Sequence, residues 1–257
     1  MLEQMVGFFV SWFANPSIPG IGLAIIFGAV WLVGYWPPLF KKHWLWAVFV
    51  SSAILSLAAV SFIQLPLQIW TGKALYQFWS REVLMRWVLL AGIPQILLSG
   101  LVQEGSKLVS VVVWWWRSGR NIDPKLGLAI GAVAGAGLGV FEAVWAHNTI
   151  FASGWRWEVV QTNGLITLAG FWERFFVVAF HTAASAIAGY GLARGWGWQF
   201  YLLASFLHGL LNYSAALLQS GLFTVVYLEI YAAVLAVLVT MVALRLRWRK
   251  QEVEDQA

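Results

Sequence analysis

Cysteine is absent from all 257 residues, and charge is scarce: Asp, Glu, Lys and Arg make up 11% of the chain, against about 25% in a soluble domain. Without Cys there is no disulfide, thiolate nucleophile or Cys-ligated metal. Aspartate is scarcer still. Only Asp123, in the loop "RSGRNIDPK", precedes the C-terminal tail, which excludes an intramembrane aspartyl dyad. No H-E-x-x-H occurs, which excludes a zincin-type helix, and no G-x-S-x-G elbow surrounds Ser99 or Ser185. Linkers, low-complexity tracts and internal repeats are also missing, so residues 1–257 read as one domain.

What fills the chain is apolar. Hydrophobic residues make up 61%, with 18 Trp and 17 Phe, and mean hydropathy is +0.75. This composition predicts an all-α, polytopic transmembrane helical bundle. A span needs about 20 apolar residues, and seven stretches qualify: 18–37, 44–66, 83–116, 126–148, 167–191, 197–218 and 222–245. The third is too long for one straight crossing and holds Pro94 and Gly100, which predicts a kink or strong tilt. Residues 67–82 read as a loop or interfacial segment, and residues 4–14 as a short interfacial helix rather than a cleaved signal. With the N-terminus outside, Lys41, Lys42, Arg117, Arg120, Lys125, Arg194, Arg245, Arg247, Arg249 and Lys250 face inward, whereas Lys73, Arg81, Arg156 and Arg174 face outward. This bias places the C-terminus in the cytoplasm. The net charge of +5 therefore reflects topology and lipid contact, not a nucleic-acid partner.

Ionisable groups inside spans are costly and mark function. Glu104 and Lys107 fall in the third span, Glu142 in the fourth, His181 in the fifth, and His208 with Asn212 in the sixth. At 1.5 Å per residue Glu104, Glu142, His181 and His208 lie roughly 15–24 Å from the inner boundary, in one layer. Glu104 and Lys107 are i,i+3 and share a face, as do His208 and Asn212 at i,i+4. Gly131, Gly135, Gly139 and Ala143 form a close-packing ridge beside Glu142. His147 points elsewhere and is assigned to the outer boundary. Arg86, Glu173, Arg174 and Glu229 sit near span ends, where side chains reach the interface.

Carboxylate and imidazole are the chemistry that remains. A buried glutamate can take a proton from water, and neutral His with an Asn amide can stabilise an oxyanion. Alternatively, Glu142, His181 and His208 could hold zinc with one open position, leaving Glu104 as the base. Against zinc, the Lys107 ammonium competes for the Glu104 carboxylate, so a metal-free site with no cofactor is preferred. A proton-coupled transporter or a non-catalytic scaffold would also explain buried Glu and His.

"QEGSK" is similar to the E-E-x-x-K/R motif of the CPBP and PrsW-like intramembrane proteases. "GLGVFEAVWA" resembles their second motif, His181 in "ERFFVVAFH" their isolated histidine, and "HGLLN" their terminal H-x-x-x-N/D. The likeness covers about residues 85–220 and is closest to the YhfC/PrsW branch; the catalytic-type core is then about 83–220. It implies an intramembrane endopeptidase with a membrane protein or peptide as substrate, in a bacterial or archaeal plasma membrane. One departure stands out: Gln103 occupies the place of the first acid, with Glu104 in that of the second.

Overall fold

The computed structural model of the chain describes residues 1–249. Lys250 and the tail lie outside the described residues. The helices are α1 (Leu2–Ser11), α2 (Ile18–Val33), α3 (Trp44–Ala59), α4 (Leu65–Phe78), α5 (Arg81–Arg86), α6 (Val88–Ala91), α7 (Ile93–Arg117), α8 (Pro124–Ala152), α9 (Trp157–Asn163), α10 (Ala169–Ala193), α11 (Gly197–Gln219) and α12 (Val225–Trp248). The described residues contain no strand. Six helical stretches are long and apolar enough to cross a membrane, beginning at Trp44, Val88, Pro124, Leu165, Gly197 and Val225. The chain is an integral membrane protein. The first of the seven expected spans is helical too, but α2 has 16 residues.

Helix ends follow local chemistry. Asp123 accepts from the Leu126 amide at 3.0 Å, with Pro124 opening α8 behind it. Ser17 caps α2 and Thr224 caps α12 in the same way, each satisfying one of the four free amides at a helix start. Gly195, at φ +81°, makes the left-handed turn between α10 and α11.

α8 is the buried centre. Its most apolar window is 83% buried, against 28% for the peripheral α12. The glycine ridge explains why. A Cβ on Gly135 would stand 2.1 Å from the His181 carbonyl oxygen, and one on Gly131 would stand 2.1 Å from that of Ser185. α8 and α10 thus touch backbone to backbone, the contact that small residues permit in a membrane. On another face, Gly137 meets the Phe49 carbonyl of α3 in the same manner. Gly100 does so between α7 and α11, where a Cβ would lie 2.2 Å from the Ser205 carbonyl oxygen.

Two expectations need correction. Residues 67–82 are mostly helix and not loop: α3 runs through a wide π-turn, Val60–Gln64, directly into α4. Pro66 lacks an N–H, and the wide turn just before it takes up the irregular bonding. The third span breaks at Trp87 and at Gly92, the latter just before Pro94 as expected, and not at Gly100. There the Leu89 carbonyl accepts from the Tyr213 hydroxyl at 3.0 Å, which compensates part of the interrupted backbone pairing. α1 covers Leu2–Ser11 and docks through its C-terminal end, where Trp12 stacks on Trp145 with centroids 5.1 Å apart.

Candidate functional site

α7, α8, α10 and α11 each bring one or two of the expected polar residues to the same place. Lys107 Nζ lies 2.6 Å from Glu104 Oε1 and 3.1 Å from His181 Nδ1. His208 Nδ1 lies 2.7 Å from the same Glu104 oxygen. His181 Nε2 lies 3.1 Å from Glu142 Oε2, and the two imidazole rings are 5.1 Å apart. Ser185 donates to Glu104 Oε2 at 3.4 Å. Glu104 and Lys107 are wholly buried.

The donor pattern fixes the protons. An ammonium only donates, so His181 Nδ1 accepts from Lys107 and its Nε2–H donates to Glu142. A carboxylate only accepts, so His208 donates Nδ1–H to Glu104 and turns its Nε2 away from that carboxylate. His181, accepting at Nδ1 from Lys107 and donating from Nε2 to Glu142, is neutral in this arrangement. The other ionic contacts of Glu142 and its neighbours extend the chain: Arg174 lies 3.2 Å from Glu142 Oε1 and also pairs with Glu173. The result is one continuous line of charged groups and imidazoles across four helices, Glu173–Arg174–Glu142–His181–Lys107–Glu104–His208.

A cavity of about 230 Å³ borders this line. Its polar lining is Gln103, Glu142, Glu173, Arg174, His181, His208, Asn212 and Ser214, and Val177, Leu211 and Leu228 supply apolar wall. Glu104 and Lys107 do not line it; they stand behind the two histidines. Both Glu104 oxygens are engaged, and it reaches the cavity directly through His208 and indirectly through Lys107 and His181. Asn212 lines the cavity and donates to Ser99 Oγ at 2.7 Å. Gln103 lines it too and donates to Gln64 Oε1 at 3.1 Å.

The metal-capable grouping differs from the expected one. Glu104, His181 and His208 offer ligand atoms within 4.8 Å of one another, in place of Glu142, His181 and His208. Glu142 is instead turned toward Arg174. The Lys107 ammonium already touches Glu104 and His181, so a cation bound by this trio would have to displace it. His147 stays out of the site as expected, but it is fully buried. It donates from Nδ1 to the Gly20 carbonyl at 3.1 Å and ties α2 to α8.

Sequence reasoning missed Arg174 by placing it at a span end. It stands seven residues before His181, two helical turns along one face, and that spacing was the available signal. Gln64 was missed because it fell near the end of the expected second span, 44–66, next to a presumed loop. No family model, curated protein or solved structure matches the chain.

Proposed function

We propose that this protein is an intramembrane endopeptidase that hydrolyses a peptide bond in or beside the bilayer without a metal. The observation that carries the reading is the Glu104–His208 contact: a wholly buried carboxylate orients an imidazole that borders a polar cavity at membrane depth. This is the carboxylate–imidazole pairing that general-base catalysis uses. In the proposed reaction, His208 Nε2 takes a proton from water as its oxygen attacks the substrate carbonyl. The amide of Asn212 and the guanidinium of Arg174 face the resulting oxyanion. When the C–N bond breaks, His208 returns the proton to the leaving amine, giving a carboxylic acid and an amine, and the acid's remaining proton then passes to the amine to leave a carboxylate and an ammonium. Glu104 orients the ring and balances its transient positive charge. His181, held between Lys107 and Glu142, fixes the neighbouring wall.

The sequence likeness to the CPBP and PrsW-like proteases supports the same reading, with Glu104, Glu142, His181, His208 and Asn212 as the site and Gln103 and Lys107 in support. Gln103 in the place of an acid accords with a base on the α11 histidine. Lys107, acting as a resident cation, supports a site without zinc. The excess of basic residues on alternate loops supports an N-terminus outside and a C-terminus in the cytoplasm.

The test works without an identified substrate. Purified chain is reconstituted in vesicles with a bacterial membrane-protein extract, and new chain termini are mapped by mass spectrometry. Termini within or next to predicted spans, produced by the native chain and missing with His208→Ala, are expected. Identical sets of termini for the two proteins would refute the proposal.

A further inference from the structure

A second cavity, of about 240 Å³, opens beside the first, where α11 finishes and α4 and α7 begin. Its lining has no charged residue. It is set with amides instead: Gln64, Gln68, Gln95, Gln219 and Asn212, with Ser99 among them. Asn212 lines both cavities. Gln103 of the first cavity donates to Gln64 of the second, and Gln68 donates to the Gln95 carbonyl at 3.0 Å. The amide track therefore runs directly to the site.

Neutral amides select their ligand by elimination. A charged ligand would find no counter-charge, and an apolar one would cover the Gln95 and Gln219 amides, which make no side-chain hydrogen bond among the described residues, at a cost of about 1–3 kcal/mol each. Each glutamine or asparagine offers both a donor and an acceptor. An extended peptide backbone offers both as well, repeated at every residue, about 3.3 Å apart. A helical substrate offers neither, because its backbone groups are paired within the helix. Water alone would not need this second track, since the charged cavity already reaches the partly exposed Glu173.

We propose that the amide-lined cavity binds the backbone of an unwound substrate segment next to the scissile bond, so that the protein selects helices that break easily. This rests on the endopeptidase reading for its purpose, but not for its measurement. The probes are two fluorescent Leu-rich transmembrane peptides of about 20 residues, one with a central Gly-Pro pair and one with Leu there. Binding to the full chain in lipid nanodiscs is read by anisotropy, and peptide masses are checked afterwards.

Native protein is expected to bind the broken peptide about tenfold more tightly, the equivalent of one to two net hydrogen bonds. Gln95→Leu/Gln219→Leu is expected to remove the preference, and Gln95→Asn/Gln219→Asn, which keeps the amides, to retain part of it. Should the Leu pair fail to fold, Gln219→Leu alone, at an exposed helix end, is expected to cut the preference about threefold. Equal binding of the two peptides by native protein, or an undiminished preference in a folded Leu variant, would overturn the proposal. Preference without any change in peptide mass would support this cavity's role while telling against endopeptidase activity.

Discussion

Lys107 decides much of the chemistry at the scale of single residues. Its ammonium is wholly buried between Glu104 and His181, so its removal strands a carboxylate in the interior. Breaking a buried pair from one side costs about 3–5 kcal/mol. Lys107→Met is therefore expected to lower the thermal midpoint in detergent sharply, and Glu104→Gln/Lys107→Met, which removes both charges, to recover most of the loss. Two equal midpoints for the single and double variants would contradict this. The same ammonium governs metal. Protein purified without chelator is expected to carry zinc far below one ion per chain, and Lys107→Ala to raise that content by opening the Glu104–His181–His208 trio; elemental analysis reads both. The pairing of Glu104 with Lys107 was legible in the sequence because i,i+3 spacing on a helix needs no tertiary knowledge. Which carboxylate meets the cavity was not legible. That depends on how far α7 and α8 are rotated about their axes, and the rotation is set by packing, not by local spacing.

Among the elements, the α8–α10 contact holds the site together. The four-residue glycine spacing read from the sequence corresponds to backbone contact in the structure, and Gly135 meets the very residue, His181, that the contact must position. Gly135→Ala is expected to cost about 1–3 kcal/mol through overpacking and to reduce cleavage by moving His181. Gly22→Ala provides the contrast, since nothing lies within 4 Å of a Cβ there; in a helix it is expected to be neutral or to gain up to about 1 kcal/mol. Comparable losses in the two variants would show that the tight contact is not what matters. The α3–α4 continuation was illegible because Pro66, Gly72 and Lys73 look locally like loop residues. Only the wide turn at 60–64 lets the helix pass the proline, and nothing in a hydrophobic pattern announces it. Gln64 and Gln68 went unnoticed for the same reason, although Gln95, Ser99 and Gln103 on α7 repeat at the four-residue interval of a helix face.

For the molecule as a whole, composition alone was enough for the class: scarce charge, many aromatics and several apolar stretches of span length define a helical membrane protein. The orientation can be tested cleanly because no native Cys interferes. Asn121→Cys is expected to react with a membrane-impermeant maleimide only from the cytoplasmic side, and Ser153→Cys only from the outer side; the reverse pattern would invert the topology. At this scale the proposed function rests on one step, peptide-bond hydrolysis within the membrane by a buried Glu104–His208 pair. The most direct measurement is the cleavage rate of a peptide identified by terminus mapping, in proteoliposomes holding either native protein or folded His208→Ala. A loss of about 10²–10⁴-fold is expected, the usual contribution of a general base. Cleavage by His208→Ala at the native rate would contradict it.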